Sequence, residues 1–168
     1  MPTPASPCAT DPVLRHKVWR GLNTDEVAEP NAFAMDATIA AFTRGGDWVD
    51  ALRGYLADNK REARRMIDKY NAAASSDAHV RLVSGLATYL MWLDCSAFTH
   101  AAGDGRPGRF ADTDELCEYL RREHAVRFSP GAQFGGNGRD FIRINVACPR
   151  SRMGEGIRRL LAGLAAAL

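Results

Sequence analysis

The 168-residue chain is poor in the residues that mark several common classes. Its four cysteines, Cys8, Cys95, Cys117 and Cys148, form no Cys-x-x-Cys, and its four histidines are scattered, so metal-ligand spacing is absent. Free thiols in a reducing cytoplasm are the expectation. No apolar run approaches the roughly 18 residues a membrane helix needs. The N-terminus has no basic region followed by an apolar core, so neither a membrane partner nor a signal peptide is expected. A net charge of +2 is too small to argue for nucleic acid. What is present is the composition of a globular protein, 46% apolar and 25% charged, long enough for one ordinary domain.

Met1 to Thr10 holds three prolines and no periodicity, which predicts a disordered leader over residues 1–10. Asp11-Pro12 reads as the cap and first position of a short helix with Val13, Leu14, Val18 and Leu22 apolar. Pro30 is expected to open a second helix with Phe33, Ala37, Ala40 and Ala41 on one face, stopped by Gly45-Gly46. From Asp47 a long helix follows. Trp48, Leu52, Tyr55, Leu56, Ala63, Met66, Ile67 and Tyr70 recur at helical spacing, and Lys60 to Arg65 supply a charged, solvated face.

The second half alternates strands and helices. His79 to Val83 reads as a strand, and so does Thr88 to Asp94, apolar enough to be buried on both faces. Ser96 to Arg109 is a loop, Asp112 and Glu115 have capping-box spacing ahead of a helix, and Ala125 to Phe128 reads as a short strand. Ser129 to Asp140 is a glycine-rich loop that lets the backbone run close to another group. The helix from Ser151 carries Ile157, Leu160, Leu161, Leu164 and Leu168 as one stripe. The expected class is α+β: a small, mostly antiparallel sheet with helices packed on it, preceded by a long helix and two N-terminal helices.

The stretch Phe141 to Arg150 contains a strand with an arginine in its middle. Alternation puts Ile142, Ile144 and Val146 on one face and Arg143 and Asn145 on the other. The apolar set enters a core, so Arg143 and Asn145 point at water, a partner or a ligand. A guanidinium fork grips a carboxylate bidentately, a contact worth roughly 1.5–3 kcal/mol. A solvated arginine on a half-exposed strand is the competing reading.

Several motifs then fall into one order: Ala87 to Asp94, Pro130 to Gly135, Gly138 to Asn145 and Cys148-Pro149-Arg150, preceded by Glu29 to Phe33 and Gly46 to Leu52. From about residue 11 to the end the chain resembles the C-terminal, small-domain part of fold-type I pyridoxal-phosphate (PLP) enzymes. It is most similar to the cystathionine β-lyase, or cysteine-S-conjugate β-lyase, group of the class I/II aminotransferases. The resemblance implies PLP as cofactor, an amino acid as substrate, and C–S β-elimination or transamination as activity. It implies that Arg143 binds the substrate α-carboxylate. Tyr89, a residue type suited to a pocket, and Asn145, on the same strand face as Arg143, are further substrate-side candidates. It also implies a dimer, and a long helix joining a large cofactor domain to the small one.

The domain reading that follows is a leader at 1–10, a helical part of the large-domain side at 11–46, and an aminotransferase-like small domain at 47–168. The family's cofactor lysine lies in a large domain this sequence does not contain. Lys17, Lys60 and Lys69 have no comparable setting, so no catalytic, cofactor or metal residue is expected and the chain is expected to be inactive alone. Gly85-Leu86 stands where the group more often has Pro-Glu or Pro-Gln. Core packing competes with a pocket role for Tyr89 and Trp92, Cys148 reads as a buried inert thiol, and His16 and His124 read as surface groups. Two functions stay open: the small domain of a PLP-dependent lyase or aminotransferase, or a truncated, non-catalytic remnant that binds carboxylates or a partner, including a second copy or the large domain.

Overall fold

In the computed structural model of the protein, residues 8–24, 31–83, 85, 87–99 and 108–168 are described. The expectations for residues 1–7, Pro30, Leu86 and the loop interior 100–107 lie outside them. The described part of the chain divides at Leu52/Arg53 into two units.

In the first unit, Asp11 caps helix α1 (Pro12–Asn23) by accepting from the amides of Val13 at 2.8 Å and Leu14 at 3.3 Å. Helix α2 (Ala34–Arg44) follows an Asn31 side chain that accepts from the Phe33 amide at 2.9 Å. Gly45 ends it, and Gly46 already belongs to α3 (Gly46–Ala73), one residue before the expected start. Ala34 is the one buried hydrophobic among the described residues up to Leu52. Val13, Leu14, Trp19, Phe33, Ile39 and Phe42 are all exposed.

The second unit holds the core. Strands β1 (Arg81–Val83), β2 (Leu90–Asp94), β3 (Ser129–Pro130) and β4 (Phe141–Asn145) form one antiparallel sheet in the order β1-β2-β4-β3. Met91 and Leu93 of β2 and Ile142 and Ile144 of β4 point to one side, where they meet Ala63 and Ile67 of α3. Leu116 and Leu120 of α5 (Thr113–His124) and Ile157, Leu160 and Leu164 of α6 (Arg150–Ala166) complete that layer. Removing such apolar surface from water, at roughly 25 cal/mol per Å², is what holds a two-layer α+β unit together.

Three local expectations are corrected. Strand β2 is buried on one face only: Leu90, Trp92 and Asp94 stay half-buried, and among the described residues the helix-packed core lies on the side of Met91 and Leu93. Ala125 to Phe128 is not a strand. Ala125 adopts a left-handed backbone at φ 49° as the cap of α5, and β3 begins only at Ser129. The loop after β2 opens with a one-turn helix, α4 (Ser96–Thr99), whose first turn is held by the Asp94 carboxylate accepting from the Ser96 amide at 3.0 Å. The capping box forms, displaced by one residue. Asp112 accepts from Asp114 and Glu115, both at 3.0 Å, and Glu115 reaches back to the Ala111 amide at 2.7 Å.

Candidate functional site

The uncovered face of the sheet is set by strand alternation. Val83, Trp92, Arg143 and Ser129 pair in one row across β1, β2, β4 and β3, and Arg81, Asp94 and Phe141 pair in the next. The Arg81 guanidinium bonds Asp94 at 2.9 Å, which closes that second row. Burial pushes the Asp94 carboxyl up, but the Ser96 amide and hydroxyl and Arg81 outweigh it and hold it below the ordinary 3.8.

Arg143 differs from Arg81. It is half-buried, and among the described residues its guanidinium has no hydrogen bond or ion pair; its carbon lies 4.0 Å over the centroid of the Phe134 ring. Phe134 meets Trp92 edge-on at 5.6 Å, and Trp92 meets Phe141 edge-on at 6.3 Å. The loop Ser129 to Asp140 makes this stack possible. It folds as two turns of 3-10 helix, Gly131–Phe134 and Gly136–Gly138, separated by Gly135 at φ 133°. Gly131 lies so close to the Gly138 and Phe141 carbonyls that a side chain there has no room. The glycine loop is therefore a close-packed lead into the arginine strand, as its composition implied.

The other two candidates are placed differently. Asn145 shares the face of Arg143, but its carboxamide oxygen accepts from the Ala147 amide at 2.8 Å, which commits it to the turn after β4. Tyr89 precedes β2 next to Thr88, whose backbone is left-handed at φ 61°, and the residue is 46% exposed. Packing in the core is thereby excluded for Tyr89, and Trp92 sits at the outward face instead of the core.

A second set of residues had no signal in the sequence. Asn59 is wholly buried on α3 and donates to the carbonyls of Val146 at 2.9 Å and Cys148 at 3.1 Å. The Tyr55 hydroxyl accepts from the Arg150 amide at 2.8 Å, and the Arg150 guanidinium reaches Asn59 at 3.2 Å and Asp58 at 3.4 Å. Together they pin the junction between β4 and α6. The long polar face of α3 hid them, since an asparagine in a charged run reads as solvated. His124 is likewise not a plain surface group: it is half-buried and meets the Tyr119 hydroxyl at 3.2 Å. Cys148 is half-buried.

A cleft of about 590 Å³ lies on the helical side, lined by Asp58, Arg61, Glu62, Arg65, Arg150 and Arg158 among others. Arg61 pairs with Asp58, Arg65 with Glu62 and Arg158 with Glu155, so its charges answer one another. None of the three lysines suits a cofactor aldehyde. Lys17 and Lys69 are exposed, and Lys60 donates to the carbonyls of Gly85 at 3.3 Å and Ala87 at 3.1 Å. Among the described residues no helix is long and apolar enough to cross a membrane.

The described residues form the expected α+β class, a small antiparallel sheet with helices packed on it. The comparisons agree. No protein-family model matches. The chain is 35% identical over 137 residues to protein MalY of Escherichia coli K12, covering 82% of this chain and 31% of MalY. It is 30% identical over 154 residues to the cystathionine β-lyase PatB of Bacillus subtilis, covering 92% of this chain and 35% of PatB. Cystalysin from Treponema denticola, whose crystal structure contains PLP, superposes with a TM-score of 0.76 at 20% identity, over 94% of this chain and 36% of cystalysin. The chain is a relative of MalY and of the cystathionine β-lyase PatB, and it spans about a third of the length of the curated relatives it matches.

Proposed function

We propose that this chain is the substrate-carboxylate-binding part of a PLP-dependent C–S β-lyase or aminotransferase acting on amino acids of the cystathionine or cysteine-S-conjugate type. One observation carries the reading. Arg143 stands on the same face of the sheet as Trp92, over the Phe134 ring, and among the described residues no carboxylate pairs with its guanidinium. A charge-assisted fork in such a setting is suited to an incoming carboxylate. PLP, bound by residues outside this chain, supplies the electron sink. Arg143 fixes the amino acid by its α-carboxylate, and Tyr89, half-exposed before β2, flanks the substrate side. Residues 47–168 are the small domain in this reading, and residues 11–46 belong to the side that meets the large domain.

The lysine environments support a second reading for the chain by itself, a non-catalytic remnant that binds carboxylates or a partner. Two experiments separate the readings. Mixing the chain with PLP, reducing with borohydride and mapping the lysines is expected to give no stoichiometric, site-specific adduct and no turnover. A chimera in which residues 11–168 replace the matched third of PatB is expected to cleave L-cystathionine, with Arg143→Lys raising KM tenfold or more. Equal kcat/KM for the chimera and its Arg143→Lys variant overturns the assignment.

A further inference from the structure

We infer that Phe134 is a positioning residue for Arg143: its ring holds the guanidinium in one orientation, leaving the N–H fork presented edge-on to a carboxylate. The inference rests on the reading of Arg143 as the carboxylate grip.

The geometry supports it in three steps. First, an arginine on a sheet surface with no ion-pair partner has four freely rotating bonds and loses that freedom when it binds. Arg143 has no hydrogen-bond partner among the described residues, so no hydrogen bond from them restricts it. Second, the restriction comes from a ring. The guanidinium carbon lies 4.0 Å over the Phe134 centroid, well inside the ~6 Å reach of a cation–π contact. A ring against the face of a guanidinium leaves its edge free, and a bidentate carboxylate bond lies in the guanidinium plane. Ring and carboxylate therefore do not compete.

Third, the ring is itself held. Phe134 is 46% exposed, so burial is not its main role. It stands edge-on to Trp92 at 87°, and Trp92 stands edge-on to Phe141 at 79°. The turn that carries it ends at Gly135, whose φ of 133° few other residues adopt. It begins at Gly131, seated against the Trp92 ring and the backbone of Gly138 and Phe141. The chain from Gly131 to Gly135 thus presents one aromatic ring to one arginine.

The test uses the isotope-labelled chain and the Nε–H resonance of Arg143, assigned by its loss in Arg143→Lys. In the wild type this resonance is expected upfield, shifted by the ring current, and restricted in motion. Phe134→Leu is expected to return it to the position and mobility of a free arginine while the amides of Met91–Leu93 and Ile142–Ile144 stay in place. Phe134→Tyr is expected to restore both. With L-cystathionine as probe, the dissociation constant read at Arg143 should rise threefold or more in Phe134→Leu and recover in Phe134→Tyr. A mobile Arg143 in the wild type overturns the inference without any variant. Unchanged mobility and affinity in Phe134→Leu overturn it as well, while the carboxylate reading stands. A wild type whose restricted Arg143 ignores L-cystathionine overturns the carboxylate reading instead, and the loss or persistence of that restriction in Phe134→Leu then decides the role of Phe134.

Discussion

The side-chain amide of Asn59 donates to the carbonyl of Val146 at 2.9 Å, joining α3 to the end of the arginine strand across 87 positions of sequence. The same amide reaches Cys148, and its oxygen takes a bond from Arg150. A helix and a strand that share no local sequence are thereby locked in register, and the lock begins at Val146, just past the strand that carries Arg143. Asn59→Leu removes the donor to two carbonyls at a fully buried position. Unfolding in urea is expected to show a loss of about 2–4 kcal/mol, since each unsatisfied buried acceptor costs roughly 1–3 kcal/mol. An unchanged midpoint would mean that water replaces the amide.

Gly131→Ala places a methyl group against backbone carbonyls on two sides. Neither can rotate away, so the turn carrying Phe134 must move. The expected cost is about 1–3 kcal/mol, with the Trp92 fluorescence spectrum shifting as its edge contact to Phe134 loosens. Equal stability and an unchanged spectrum would show that the loop tolerates the shift.

Asp94 predicts an acid dependence. Its folded carboxyl titrates below the ordinary 3.8, so its contribution is present in full above that value and is lost as pH falls through the folded value. Urea midpoints between roughly pH 2 and 6 should therefore decline toward acid, and the decline should be shallower in Asp94→Asn. Parallel slopes for the two proteins would assign the acid sensitivity elsewhere.

Burial pushes the Cys117 thiol up from 9.0 to about 12 and the fully buried Cys95 thiol well above 9.0. Both folded values exceed the unfolded one, so stability from these groups is complete below 9.0 and is lost as pH rises through the folded values. Iodoacetamide at neutral pH is expected to label exposed Cys8 and to spare Cys95 and Cys117 until the chain unfolds. Labelling of Cys117 in the native protein would reveal an opening of α5.

The N-terminal helices carry the last prediction. Trp19 is 54% exposed, Phe33 75%, Phe42 88% and Trp48 68%. At roughly 150–250 Å² per aromatic side chain these four alone leave on the order of 500 Å² of apolar surface wet, enough to favour association. Light scattering is expected to show self-association that Phe42→Glu weakens. Amide exchange is expected to be fast in α1 and α2 and slow in β2 and β4. A monomer with uniformly slow exchange would contradict both.

The elements themselves were legible wherever a local rule governs the chain. Asp11-Pro12 and Asp112 cap helices because cap chemistry acts over three residues. Arg143 and Asn145 share a face because a strand alternates. The motif order from Ala87 to Arg150 was enough for the family. Ala125 to Phe128 was misread because its apolar, β-forming residues say nothing of the left-handed cap that α5 requires there. The two-sided burial expected for β2 failed for a similar reason: hydrophobicity reports what a residue tolerates, and only the placement of the helices decides which face they cover.

By itself, then, the sequence determined the class, the alternation that turns Arg143 away from the core, and the glycines that let a loop pack tightly. Tertiary structure alone decided that Asn59 is a buried clasp, that Asn145 is spent on its own turn, and that a phenylalanine nine residues before Arg143 lies against its guanidinium. The division follows from the range of the forces. Backbone alternation and capping act within a few residues and are written in the sequence. Burial of an amide and stacking of a ring on a cation depend on groups that meet only after the sheet and helices have assembled.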